Sequence, residues 1–313
     1  MSTTTESGSG SGAVNINPGS VQAIARKDFQ DAVRSWLFWG LSLFFFTLMV
    51  MTALIGGWFA DELTGQTLIG WASPVTALVI PLIALVIGWK SITGERETGS
   101  IKILLSLPHS RTDVILGKLC GRSAVLSLSL FIGFTAAGLI IAVLAIGQFG
   151  LQDITGFFSD YIAFLLISIM YGIAYTSLAV MISSLTRSSV IAGAGVFGVF
   201  VLFYVVWNAI PAAVFSLFLL DYISFVETDA GLRPPGWLFF IQIIDPGAAY
   251  GTLVAAITSA SANQAWGAVN VDVEQFGGTT PFYLRSWFAF LVLLFWSAVP
   301  TIVALFRFEQ VDL

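Results

Sequence analysis

Six stretches of the sequence, residues 36–59, 68–89, 123–146, 161–183, 190–210 and 287–305, contain no Asp, Glu, Lys, Arg or His. A bilayer core about 30 Å thick is crossed by about 20 apolar residues of helix, and each stretch is of that length. A soluble core has no use for so many long uncharged runs. The composition agrees: 57% of the residues are apolar, 10% are charged, and the mean hydropathy is +0.90. That balance excludes a soluble enzyme, a nucleic-acid binder and a disordered scaffold. The expected fold is an all-α polytopic membrane protein with six transmembrane helices and the lipid bilayer as its surroundings.

Orientation follows from the basic residues between the stretches. Arg26, Lys27, Arg34, Lys90, Arg96, Lys102, Arg111, Lys118, Arg122, Arg187 and Arg307 fall in the segments of one side, whereas only Arg233 and Arg285 fall on the other. Positive charge collects in the cytoplasm, so both termini are expected there. The outer side is acidic instead, with Asp61, Glu62, Asp153, Asp160, Asp221, Glu227, Asp229, Asp245, Asp272 and Glu274.

Residues 1–20 are small, polar and without periodicity, which predicts a disordered cytoplasmic tail. From residue 21 the chain is read as one permease-like domain to residue 313. Its first helix, 21–36, puts Ala25, Phe29, Ala32, Val33 and Trp36 on one face, the pattern of a helix lying along the interface. The inner loop 90–122 is broken at Gly94, Gly99-Ser100 and Pro108. Ser100 is placed to cap a short helix with Ile101, Leu104 and Leu105 on one side; Ser110 and Asp113 form a capping box for the helix that rises into the third span. The outer segment 211–285 has apolar runs too short to cross, and an even number of them keeps the C-terminus inside.

The usual chemistry lacks its parts. One cysteine, Cys120, and one histidine, His109, exclude an internal disulfide and a His/Cys metal cluster, so no metal site and no catalytic residue is expected. The run GAGVFG at 193–198 spells a dinucleotide pattern but lies inside an apolar span, where Ala192, Gly193, Gly195 and Gly198 are better suited to close helix packing. GKLC at 117–120 lacks the upstream glycine and the Ser or Thr of a phosphate loop, so this chain is read as having no nucleotide site and no enzyme activity of its own. With no carboxylate inside a span, any transport is expected to draw its energy from elsewhere.

Glu95-Arg96-Glu97 with Gly99-Ser100, the Leu-Leu-Ser-Leu-Pro run at 104–108, Ser110-Arg111 and Leu116-Gly117-Lys118 together resemble the inner-loop signature of type-2 ATP-binding cassette (ABC) permeases. The likeness extends over residues 21–313 and is nearest to the branch that holds the permease of the nitrous-oxide-reductase copper-maturation system. The resemblance implies the membrane subunit of an exporter, paired with a second permease subunit as a homo- or heterodimer. Two copies of a cytoplasmic ATPase subunit would bind ATP and Mg²⁺; this chain would carry no cofactor. It further implies that residues 100–107 are a coupling helix docking on that ATPase. Glu95, Arg96, Glu97, Gly99, Ser100, Ile101, Leu104, Leu105 and Arg111 would then serve coupling, with Arg187 in a second, smaller contact. An energy-independent channel or scaffold is the alternative with the same hydropathy.

Overall fold

A computed structural model describes residues 17–59, 65–99, 110–148, 154–228, 231–258, 276 and 280–309. Helix α1 (Pro18–Val33) starts at the first proline, three residues before the boundary read from the sequence. The Asn17 side chain accepts from the N–H groups of Gly19 and Ser20 at 3.0 and 3.4 Å, and Pro18 needs no partner in the first turn. The buried residues of α1 are Ser20, Ile24 and Asp28, not the apolar stripe through Phe29 and Val33. The reason lies in its partner, α5 (Arg111–Gln148). A Cβ at Gly117 would stand 2.7 Å from that of Ile24, and one at Gly121 would stand 2.9 Å from that of Asp28. Two glycines four residues apart thus clear a track for α1.

The start of α5 is built as expected. Asp113 N–H donates to Ser110 Oγ at 3.0 Å, and Ser110 N–H donates to Asp113 Oδ2 at 3.1 Å. Asp113 Oδ1 also accepts from Asn17 N–H at 2.9 Å, which ties the starts of α1 and α5 together. At about 1.5 Å per residue, α5 is about 57 Å long, well beyond a bilayer core.

Six helical stretches are long and apolar enough to cross a membrane. Besides α5 they comprise α2 (Trp36–Phe59), α3 (Gly65–Gly88), α6 (Ile154–Leu185), a composite fifth span and a last helix, Ser286–Glu309. Two prolines inside α3 leave carbonyls without their usual donors, and side chains supply them. Four residues before Pro74, Gly70 O accepts from Ser73 Oγ at 3.4 Å; four before Pro81, Ala77 O accepts from Tyr171 Oη at 3.0 Å. Tyr171 in turn stacks on Tyr250 with ring centroids 4.4 Å apart, and Tyr250 Oη lies 2.9 Å from Thr76 Oγ1 and 3.2 Å from Ser168 Oγ.

The fifth span does not end at residue 210. It comprises α7 (Ser189–Val201), a π-helical stretch at Leu202–Trp207 and α8 (Asn208–Leu219). Pro211 lies inside this continuous helical run, and the widened π-helical turn before it accommodates the ring and the missing N–H. Asn208 Nδ2 donates to Phe203 O and Tyr204 O, both at 3.1 Å, within that turn.

After a short hairpin, β1 (Val226–Thr228) with β2 (Gly231–Arg233), come α9 (Gly236–Ile244) and α10 (Pro246–Thr258), bent by 96° at Asp245. The final helix is α11 (Ser286–Glu309). Gly236 O accepts from Tyr283 Oη just before α11, whereas Ile244 O accepts from Trp296 Nε1 well along it, so α9 dips into the bundle. Asp245 sits beside Tyr171 and Tyr175, and Tyr250 has returned to the level of Ser168, so α10 climbs back. The pair is re-entrant. Ala304 near the end of α11 packs with Ile92, Ile115 and Val180, which puts the end of α11 at the same end of the bundle as α1. Between the fifth and last spans the described residues hold this one re-entrant pair of helices.

Candidate functional site

Past the apolar part of α3 the chain turns at residues 89–92 and forms α4 (Thr93–Glu97). Ser183 Oγ fixes its start, accepting from the N–H groups of Ile92 and Thr93 at 3.1 Å each. Gly99, at φ +73°, closes its end in the left-handed conformation that glycine takes without strain. Three successive residues of α4 then reach three different elements.

Glu95 Oε1 lies 2.6 Å from Lys118 Nζ of α5. That ammonium also donates to Asp28 Oδ1 of α1 at 2.9 Å, and Arg122 Nε stands 3.1 Å from Asp28 Oδ2. Asp28 and Lys118 are buried, so the chain of charges is partly desolvated and joins α1, α4 and α5. Arg96 donates to Thr186 O at 2.7 Å and to Ser184 O at 3.1 Å, satisfying carbonyls at the end of α6. Burial, then Arg187 and Arg111 nearby, lower the basicity of Arg96. Glu97 accepts from Ser189 N–H at 2.7 Å and from Ser189 Oγ at 2.8 Å, placing an anion at the start of α7. Those two bonds hold its carboxyl below the ordinary carboxylate range.

The Glu-Arg-Glu element thus gathers α1, α5, α6 and α7 at the basic end of the bundle. Arg111 opens α5, and Arg187 is exposed in the turn between α6 and α7. Ser100, Ile101, Leu104 and Leu105 lie outside the described residues.

The small-residue face of α7 divides in two. Ala192 is fully buried, a Cβ on Gly193 would collide with Trp89, and one on Gly195 would meet Ile182 Cγ2 at 2.9 Å. These three pack within the chain. Gly198 has nothing within 4 Å of its would-be Cβ.

Two charged residues take positions that the sequence reading missed. Asp28, which lies off the apolar face of α1 expected from the sequence, is buried against α5, and the Gly117-x-x-x-Gly121 spacing that lets α1 approach is its sign in the sequence. Asp245, counted among the outer carboxylates, is only 4% exposed at the turn between α9 and α10. Its Oδ2 caps α10 by accepting from Ala248 N–H at 2.8 Å, while Oδ1 has no hydrogen-bond partner among the described residues. A cavity of about 20 Å³ beside it is lined in part by Tyr171, Tyr175 and Asn208. The spans are free of charge, but the bundle is not. The Asp-Pro-Gly order at 245–247, an N-cap followed by a first-turn proline, was the available sign of that helix start.

The model of the ABC-2 family transporter protein matches residues 22–313, nearly the whole chain. The chain belongs to the ABC-2 transporter family. It is 32% identical over 198 residues to the probable ABC transporter permease protein NosY of Stutzerimonas stutzeri, covering 62% of this chain and 70% of the relative. The NosY of Pseudomonas aeruginosa is 29% identical over 200 residues, 63% and 71% of the two chains. This protein is thus an ABC-2 permease subunit, a multi-pass membrane protein of a class that works with a partner ATPase. In this ABC-2 permease the helices are tied together at α4 and the start of α5.

Proposed function

We propose that this ABC-2 permease forms the translocation path of an ATP-driven exporter, with a second permease subunit and two cytoplasmic ATPase subunits that bind ATP and Mg²⁺. The observation that carries the reading is the position of α4. It leads directly into residues 100–107, the proposed coupling helix, and its three charged side chains hold the ends of α5, α6 and α7. A displacement of the 100–107 segment by a closing ATPase would therefore move several spans together, and ATP binding would favour one of two bundle arrangements. Arg187, exposed on the same side, supplies a second contact.

In this reading the basic end faces the cytoplasm with both termini. In intact cells expressing a chain without Cys120, a cysteine at position 64 should react with an impermeant thiol reagent and one at position 309 should not. Labelling at 309 reverses the topology.

The functional test uses purified chain in nanodiscs with a cassette ATPase. Alone, the chain should hydrolyse no ATP; mixed, it should retain the ATPase in a pull-down. Leu104→Glu removes a side chain whose full burial contributes about 1.5–3 kcal/mol, so ATPase affinity should fall about 10- to 150-fold with insertion unchanged. Full ATPase binding by Leu104→Glu would exclude residues 100–107 as the docking helix.

A further inference from the structure

At the basic end, between α1, α2, the end of α3 and α5, lies a cavity of about 670 Å³, within the roughly 300–1,000 Å³ typical of sites for small ligands. Its walls differ in chemistry. Phe38 and Leu41 of α2, Ile87 of α3 and Val125 of α5 form an apolar side made from the ends of membrane spans. Lys27 and Asp31 of α1, Lys90, and Arg122 of α5 add charge to its lining, as do Asp28, Lys118 and Glu95 of the ion bridge.

The charges are not all committed inside the protein. Lys118 is shared by Asp28 and Glu95, and Arg122 faces Asp28. Lys27 and Lys90 are both exposed and form no ion pair among the described residues; Lys90 lies over the neighbouring Trp89 ring, 4.6 Å from its centroid. Four cations and three carboxylates line the cavity, an excess of one positive charge. Trp36 and Trp39 stand exposed at the start of α2, at 83% and 58%, where interfacial tryptophans mark the level of lipid headgroups.

We propose that this cavity binds one anionic phospholipid, its phosphate between Lys27, Lys90 and Arg122 and the start of an acyl chain along Phe38, Leu41 and Ile87. An occupant of such a space needs an anionic head and an apolar tail within one molecule, at the depth where basic clusters next to spans attract anionic lipid. The second permease subunit would have to present both chemistries at that depth; a membrane lipid has them already. The site touches the bridge that fastens α1 and α4 to α5, so a bound lipid would brace the end of the bundle that leads into residues 100–107. The proposal takes the basic end to lie at the leaflet bearing anionic lipid, and its test needs no ATPase, so it fails or holds apart from the transporter reading.

The test is native mass spectrometry of the full chain released from mixed micelles containing equal amounts of phosphatidylglycerol and phosphatidylcholine. Wild type should retain one phosphatidylglycerol at least tenfold more often than phosphatidylcholine. The double variant Lys27→Ala/Lys90→Ala changes two exposed residues and should keep its lipid-free melting temperature while losing that preference. Glycerol phosphate, the headgroup without chains, should not compete. Equal retention of the two lipids, an unchanged preference in the double variant, or displacement by glycerol phosphate would each overturn the proposal, the last in favour of a site for free phosphate esters.

Discussion

Lys118→Met should destabilise the purified protein by about 3–5 kcal/mol, the usual consequence of removing one partner of a buried ion pair. Asp28 would keep only Arg122, whose Nε is 3.1 Å from Oδ2 but makes no hydrogen bond. Glu95, about 28% exposed, can turn toward water and adds less. The stranded group is Asp28, at 9% exposure against the glycine track of α5. Denaturation in mixed micelles reads the total, and proteolysis near α1 reads where the loosening occurs. Replacing both ends, Lys118→Met with Asp28→Leu, should recover most of the loss, because a packed apolar pair avoids the desolvation that the ions incur. A loss below about 1 kcal/mol for Lys118→Met would mean that water reaches the bridge and that it behaves as a surface pair.

Charge-free length was enough to locate the spans, since membrane crossing demands only that every backbone group be bonded and every side chain be apolar. The limits of α2 coincide with the stretch read at 36–59, and the Ser110–Asp113 box forms as its spacing predicts. Where the reading failed, the missing information was three-dimensional. The fifth stretch was read to residue 210, yet with a π-helical turn before Pro211 the span continues to Leu219, and no local pattern announces that turn. Asp245 looked like an outer-surface residue because its neighbours in sequence are outside; only the 96° bend between α9 and α10 carries it inward. The burial of Asp28 was not legible because its partners, Lys118 and Arg122, are about ninety residues away in sequence. The signature at 95–97 was legible as a motif, but its partners at Lys118, Ser184, Thr186 and Ser189 were not, since each is set by how the helix ends meet.

Arg96→Ala should separate ATPase binding from its mechanical effect. The guanidinium makes two charge-assisted bonds to carbonyls at the end of α6, and losing hydrogen bonds to a charged group costs about 1.5–3 kcal/mol. The spans remain packed through their own aromatic core, Tyr171 on Tyr250 and Phe134 on Phe164, so insertion should be unchanged. What loosens is the grip of α4 on the turn between α6 and α7. If that grip carries motion from residues 100–107 into the bundle, the variant should still bind the ATPase while transport per ATP hydrolysed falls at least about tenfold, the equivalent of about 1.4 kcal/mol. Leu104→Glu should do the reverse, weakening attachment itself. Arg96→Lys should fall between wild type and Arg96→Ala, because a lysine ammonium is a point charge without the planar fork that spans two carbonyls. Normal transport per ATP in Arg96→Ala would reduce the contact to a helix cap and leave Glu95 and Glu97 as the remaining links from α4 to the spans.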